Sequence, residues 1–399
     1  MRLCIVNPFY DPDIASGTEL ISRYRHLAQL GGALARRGLQ VVVTQAFRYS
    51  EILECGPITY QLVRTPLRSI ASLSGDLISS QFVHKATFTD LVRTVADVDP
   101  DVVHMNGLTL LEPLAALASW CIVARRPLTV THHGGEPRRA PWLRGYQRRI
   151  LACVDRVFFS TASHAHRWLA AGLLQPEQVM PCMEVSSEFA PVDRRIARTR
   201  TGMQGFPVFC SSARLHPNKD PVTALKGFSI IRRMWPEARL YMTYLTNEMR
   251  FEVERTIKTE PRLSGAVEMR GRIPHAAVED FINSSDFLIQ ASIREPGCSF
   301  AVLEAMACGV IPVVTDIPAF RAMTSDGRLG VLFPVGNHTV MAARVLDFGL
   351  GELHSKSRHV RDFFVGSLSY DVIAKTYEIA FLSALNSPAH SRHVTPGLV

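Results

Sequence analysis

The sequence predicts an α/β protein built from two doubly wound, Rossmann-like domains with parallel sheets, facing each other across a central cleft. Three observations lead there. Short apolar strands alternate with helical stretches through the first half, a polar arginine-rich interval interrupts them, and the same alternation then restarts. A length of 399 residues accommodates two or three domains at roughly 150 residues each. With 47% hydrophobic and 20% charged residues, the chain has the side chains for buried cores, and long disorder or collagen-like repeats are excluded.

The first strand is the apolar run Leu3 to Val6, followed by a loop from Asn7 to Gly17 with two prolines. From Thr18 the residues Leu20, Tyr24, Leu27, Gly31 and Leu34 recur at helical spacing, Gly38 stops that helix, and Leu39 to Val43 is the second strand. Further strands fall at Asp101 to His104, Leu128 to Thr131 and Val157 to Ser160. Serines, proline and arginines dominate between Glu184 and Gly205, which reads as a linker. Strands resume at Val208 to Ser211, Leu240 to Tyr244, Phe287 to Gln290 and Ile311 to Thr315. The expected organisation is a first domain over residues 1–190, a linker over 191–206 and a second domain over 207–367. A helix over 368–386 would pack back on the first domain, and a frayed tail over 387–399 would follow.

No run of about 18 apolar residues is present, so no spanning helix is expected. The chain enters a strand at once, with no signal peptide before it, and its eight cysteines are scattered without a CxxC pair. Both features point to the cytoplasm rather than to a disulfide framework or a zinc site. The formal charge is +8, carried by 38 arginines and only six lysines. Such a surface attracts nucleotide phosphates or an anionic membrane, whereas no nucleic-acid-binding signature is present. Neither GxGxxG after the first strand nor GxxxxGK[ST] anywhere is found, which argues against a nicotinamide dehydrogenase or a P-loop NTPase.

Two segments of the second half carry the chemistry. Ser211-Ser212-Ala213-Arg214-Leu215-His216-Pro217-Asn218-Lys219-Asp220-Pro221 leaves a strand and opens a helix, with Asp220 as N-cap and Pro221 as first helical residue. Arg214 and Lys219 flank a helix start that itself favours anions, so the segment reads as a phosphate site, with a solvated charged loop as the alternative. The second segment is Glu295-Pro296-Gly297-Cys298-Ser299-Phe300-Ala301-Val302-Leu303-Glu304-Ala305-Met306-Ala307-Cys308-Gly309. Gly297 permits close backbone approach, and the amides that follow could face a diphosphate or a sugar. Glu304 sits in an apolar helix, where a carboxylate is costly unless it binds something polar such as ribose hydroxyls.

These residues resemble the GT-B glycosyltransferases of family 4, a retaining, nucleotide-sugar-dependent class. Ala213-Arg214 to Lys219 is similar to the family's GR-x4-K element, which holds the donor diphosphate. Leu303-Glu304-Ala305-Met306-Ala307-Cys308-Gly309 is similar to the second half of its E-x7-E element, whose second glutamate contacts the ribose. Family spacing back from Glu304 lands on Pro296, so a one-residue bulge is needed to return Glu295 to the donor sugar; otherwise the first glutamate's role is lost. In the first half, Ser16-Gly17-Thr18-Glu19 resembles the glycine-rich loop near the donor phosphate. Asp101 to Gly107 resembles the DVVH-x-x-G strand end, and Pro127 to Gly135 the segment with the active-site histidine, where spacing selects His133 over His132. Gly271 and Ile273 would border the nucleotide base, and Gly297, Ser299 and Phe300 would complete the donor site.

The resemblance implies acceptor binding by the first domain and donor binding by the second. It implies a nucleoside diphosphate sugar as co-substrate, no cofactor, no metal and front-face transfer with retention. The acceptor is left open among a glycan, a lipid-linked glycan and a small aglycone. A sugar-nucleotide epimerase and a non-catalytic binding subunit are the alternatives. The stretch Pro141 to Ile150 reads as a surface helix packing its aromatics inward, with peripheral contact to an anionic membrane as the other reading.

Overall fold

A computed structural model describes residues 1–64 and 85–386; the tail expected over 387–399 lies outside them. The chain divides into two compact units, Met1–Val185 with the chain from Tyr370 onward, and Ser186–Ser369.

In the first unit the order is β1 (Arg2–Asn7), α1 (Gly17–Arg23), α2 (Arg25–Arg36), β2 (Gln40–Phe47), β3 (Glu51–Cys55) and β4 (Ile58–Arg64). There follow α3 (Lys85–Val98), β5 (Val102–Asn106), α4 (Leu111–Ala124), β6 (Leu128–Thr131), α5 (Pro141–Leu151), β7 (Arg156–Phe159), α6 (Ala162–Ala170) and β8 (Val179–Pro181). The eight strands form one sheet in the order β3-β4-β2-β1-β5-β6-β7-β8, parallel except for β3. Strands β5 and β6 are buried along their whole length, as a sheet covered on both faces requires.

Two features differ from the sequence reading. The long first helix is broken at Tyr24, whose backbone (φ −103°, ψ 33°) ends α1 and starts α2. Beyond the break α2 lies close on the sheet, where a Cβ on Gly31 would stand 3.2 Å from Ile58 and 3.4 Å from Val41. The β3–β4 hairpin was not expected. Its strands alternate in and out, and Gly56 at φ +58° makes the turn between them.

The second unit contains α7 (Arg194–Thr201), β9 (Val208–Ser212), α8 (Pro221–Met234), β10 (Arg239–Thr243), α9 (Arg250–Thr259), β11 (Val267–Gly271) and α10 (Val278–Asn283). It continues with β12 (Phe287–Gln290), α11 (Phe300–Ala307), β13 (Ile311–Thr315), α12 (Pro318–Met323), β14 (Val331–Phe333), α13 (His338–Phe348) and α14 (Leu353–Phe363). Its six strands are all parallel, in the order β11-β10-β9-β12-β13-β14. Residues 191–206, read as a linker, are instead partly helical. Arg194 and Arg198 of α7 reach the buried carboxylate of Asp286 at 2.9 and 3.0 Å, and the Val208 amide donates to it at 2.7 Å. Two of the four arginines that made the stretch look solvated neutralise a core aspartate.

The last helix, α15 (Tyr370–Asn386), belongs to the first unit. Tyr377 stacks on Phe158 with ring centroids 3.9 Å apart, and its hydroxyl lies 3.0 Å from Thr131 Oγ1. Beneath it, His104 of β5 is buried between Thr129 and Thr131, each 2.9 Å from one ring nitrogen. Burial, with a smaller contribution from the charge of His133, lowers the His104 pKa to about 3. The folded chain therefore refuses a proton that the unfolded chain accepts below about pH 6.5, and stability falls as pH drops from there towards 3. We predict that a His104→Asn variant, less stable than the parent at pH 7.5, closes that gap by about 2 kcal/mol at pH 5. Urea unfolding at the two pH values checks this, and a constant gap would contradict it.

Candidate active site

In the second unit the sheet order reverses between β9 and β12, and ligands bind at such a point in open parallel sheets. The loop after β9 carries Arg214 and Lys219, and the loop after β12 carries Glu295. The two loops are tied together. Asn218 accepts from the Ile293 amide at 2.8 Å and donates through Nδ2 to the Arg294 carbonyl at 2.9 Å. Lys219 Nζ is ion-paired with Glu295 Oε1, and Gln290 Nε2 donates to the same oxygen at 2.9 Å. Gln290 is held in turn by Ser299 Oγ, which donates to its Oε1 at 2.9 Å.

The side chains of Lys219 and Glu295 are 14% and 7% exposed, while Pro296 is exposed to solvent. Of the two residues competing for the inward position, the loop turns Glu295 in. Arg214 is exposed and makes no ion pair among the described residues. Asp220, at φ +41°, caps α8 by accepting from the Thr223 amide at 3.2 Å, and Pro221 is the first helical residue. Glu304 lies in α11, a helix otherwise apolar, and is 7% exposed. Ser299 occupies the N-cap position of α11 without a side-chain cap bond, and its hydroxyl donates to Gln290. Gly297 is buried at the turn into that helix, and Phe300 is exposed on its first turn. Gly271 ends β11 at φ +65° with half-buried Ile273 beyond it, at the same edge of the sheet but two strands from β9.

In the first unit the two adjacent histidines after β6 have different surroundings. His132 is buried, bonds through Nε2 to the Gly135 carbonyl at 3.1 Å, and packs against Phe159 and Trp168. The His133 side chain is 25% exposed, lies edge-on to Phe9 at 6.4 Å, and is paired through Nδ1 with Glu184. Gly17 begins α1, and a Cβ there would stand 2.5 Å from Leu53 Cδ1 and 2.8 Å from Glu51 Oε2, so a side chain at this position would have to displace side-chain ends of the hairpin. The aromatics of α5 do not pack inward as expected: Trp142 is 74% exposed and Tyr146 40%, while Gln147, Ile150 and Leu151 form the buried face. The helix meets the core through its C-terminal turn, which leaves both rings outside.

Asn218, Gln290 and Glu184 were not singled out in the sequence. Glu184 had one usable signal, a lone carboxylate between the buried apolar residues Met183 and Val185.

With this geometry in place, comparison with known proteins is informative. The family model for glycosyl transferases group 1 matches residues 193–361, and that for glycosyltransferase family 4 matches residues 25–180. The chain belongs to the family 4 glycosyltransferases of GT-B architecture. It is 28% identical over 211 residues to the D-inositol 3-phosphate glycosyltransferase of Paenarthrobacter aurescens, matching 51% of this chain and spanning half the length of that relative. It is 22% identical over 352 residues to the phosphatidyl-myo-inositol mannosyltransferase of Mycobacterium tuberculosis, covering 87% of this chain and 86% of the relative. Among solved structures it resembles Anabaena HepE in complex with UDP, with a TM-score of 0.68 at 15% identity over 96% of this chain and all of that one.

Removing one partner of a largely buried ion pair strands the other, so the losses of the two single variants overlap. We predict that Lys219→Met and Glu295→Gln each cost about 2 kcal/mol, with the double variant losing about 1–2 kcal/mol less than their sum. A denaturant double-mutant cycle measures the coupling, and simple additivity would show that the pair contributes none.

Proposed function

We propose that this chain transfers a sugar from a nucleoside diphosphate donor to an acceptor hydroxyl, with retention of anomeric configuration and without a metal. The observation that carries this reading is the convergence of Arg214, Lys219 and Glu295 at one sheet edge, with the buried carboxylate of Glu304 on the adjoining helix. Arg214 and Lys219 bind the diphosphate and stabilise charge on it as the bond between the anomeric carbon and the phosphate oxygen breaks. Glu295, already on Lys219, accepts from hydroxyls of the donor sugar, and Glu304 from those of the ribose. The acceptor oxygen forms the new bond to the anomeric carbon and gives its proton to the departing phosphate. His133 holds a hydroxyl of the donor sugar. Gly17, Gly271, Ile273, Gly297, Ser299 and Phe300 are assigned to the donor site by resemblance to the family.

Thermal-shift measurements with UDP, GDP, ADP and TDP, free and as their sugars, test the donor site, since a ligand bound only to the folded chain raises its melting temperature. A rise selective for one base is expected, and it vanishes in Lys219→Ala, which also abolishes transfer. Near-normal turnover in that variant would sink the phosphate assignment. Donor consumed with no acceptor present would favour the epimerase, and binding without turnover the non-catalytic subunit. Acceptor screening starts with inositol phosphates and phosphatidylinositol, because the relatives above are named for inositol-bearing substrates.

Peripheral contact with an anionic membrane forms part of the proposal. Among the described residues no helix is long and apolar enough to cross a membrane. The exposed face of α5 carries Trp142 and Tyr146 beside Arg149, an aromatic and basic combination suited to a lipid headgroup layer. Flotation should show binding to vesicles containing phosphatidylglycerol and none to pure phosphatidylcholine. Combining Trp142→Ala with Arg149→Glu should weaken partitioning about tenfold or more. Equal recovery of the parent and this variant would remove α5 from the contact.

A further inference from the structure

Apart from the groups assigned to the donor, the first unit holds a carboxylate that no step above uses. Glu184 follows β8, its side chain is 9% exposed, and it receives Nδ1 of His133. Burial pushes the Glu184 carboxyl up, but the charge and hydrogen bond of His133, with His132 and His26, outweigh this and hold it below the usual carboxylate range. The other imidazoles nearby are not equivalent to His133. Burial takes His26 down to about 4, aided by the charge of His133, so it is neutral near pH 7. Nε2 of His132 is engaged by the Gly135 carbonyl. His133 is paired with the carboxylate through Nδ1 and its side chain is partly open to solvent.

A neutral imidazole carries one N–H and one lone pair, and the partner of one nitrogen decides the role of the other. A carboxylate at Nδ1 accepts the proton-bearing side, which leaves Nε2 as a hydrogen-bond acceptor. We infer that Glu184 is a positioning residue: it fixes the tautomer and ring plane of His133, so that Nε2 accepts a hydrogen bond from a hydroxyl of the bound sugar. The inference rests on the reading above that His133 contacts the donor sugar. It adds the direction of that hydrogen bond and the group that sets it. A sugar hydroxyl that donates to Nε2 keeps its own lone pairs for other donors, whereas the opposite tautomer would confront it with an N–H.

The test uses the full chain labelled with 15N-histidine, with His133 resonances assigned by loss in His133→Asn. In the parent at pH 7.5, His133 should show the Nδ1–H tautomer. In Glu184→Ala it should shift towards the Nε2–H form that free histidine prefers in water. Glu184→Gln, which keeps the volume, should lower kcat about 10–100-fold, as loss of a carboxylate behind a functional histidine does elsewhere. Nucleotide affinity should change little in that variant, and Glu184→Asp should recover part of the loss. A His133 tautomer unchanged in Glu184→Ala overturns the inference, whatever happens to activity. An inactive His133→Ala beside a fully active Glu184→Gln also overturns it. If His133→Ala is itself fully active, the sugar-contact reading has failed instead, and the tautomer result still decides whether Glu184 sets the ring.

Discussion

Strands enclosed on both faces by helices leave little room for polar chemistry along their length. In both sheets most interior positions are Val, Ile, Leu, Phe and Met, exceptions such as His104 and Thr129 satisfy each other, and many polar groups gather at the carboxyl ends: Asn7 and Asn106, Thr131 and His132, Ser212, Gln290, Thr315. The parallel arrangement then does the sorting. Every strand ends at the same edge, so loops far apart in sequence become neighbours there, and where the strand order reverses two of them lie side by side. The loops after β9 and β12 are such a pair, and Asn218 locks them together through two backbone groups.

Three buried or nearly buried carboxylates show how differently one chemical group can be used. Asp286 is ion-paired with two arginines and accepts a backbone amide, and it has only a structural part to play. Glu295 faces a lysine at the rim of the sheet, beside an arginine left open to solvent. Glu184 faces a histidine that is itself partly open. The contrast lies in the partner: two guanidinium groups permit no rearrangement without loss, whereas a lysine or a histidine can turn to an incoming ligand while keeping part of its bond.

Much of the architecture was legible because parallel strands buried on both faces leave continuous apolar runs, and these stood out at Leu3, Leu128, Val208, Phe287 and Ile311. The start of α8 was equally plain, since Asp220-Pro221 is a local signal that depends on nothing distant. What escaped reading depended on tertiary partners. The hairpin β3–β4 alternates like any half-buried segment, and its role becomes visible only once Gly17 and Gly31 pack against it. Helix α7 looked like a solvated linker because the aspartate answering its arginines lies about 90 residues further on. The outward rings of α5 defeated a general preference for buried aromatics, since nothing in eleven residues tells which end of a short helix meets the core. The pairing of Lys219 with Glu295 was hidden by its span of 76 residues, although each residue had been marked separately.

The path of the chain has a consequence for its biosynthesis. The first unit is left at Val185 and rejoined at Tyr370, where α15 supplies the ring that covers Phe158 and the hydroxyl that meets Thr131. On the ribosome, the unit translated first must wait for α15 to emerge, while Ser186–Ser369 is already complete. Order of translation and order of completion are therefore reversed. During that interval Phe158 and His104 lack their cover, and the nascent sheet is open to the wrong contacts or to a chaperone.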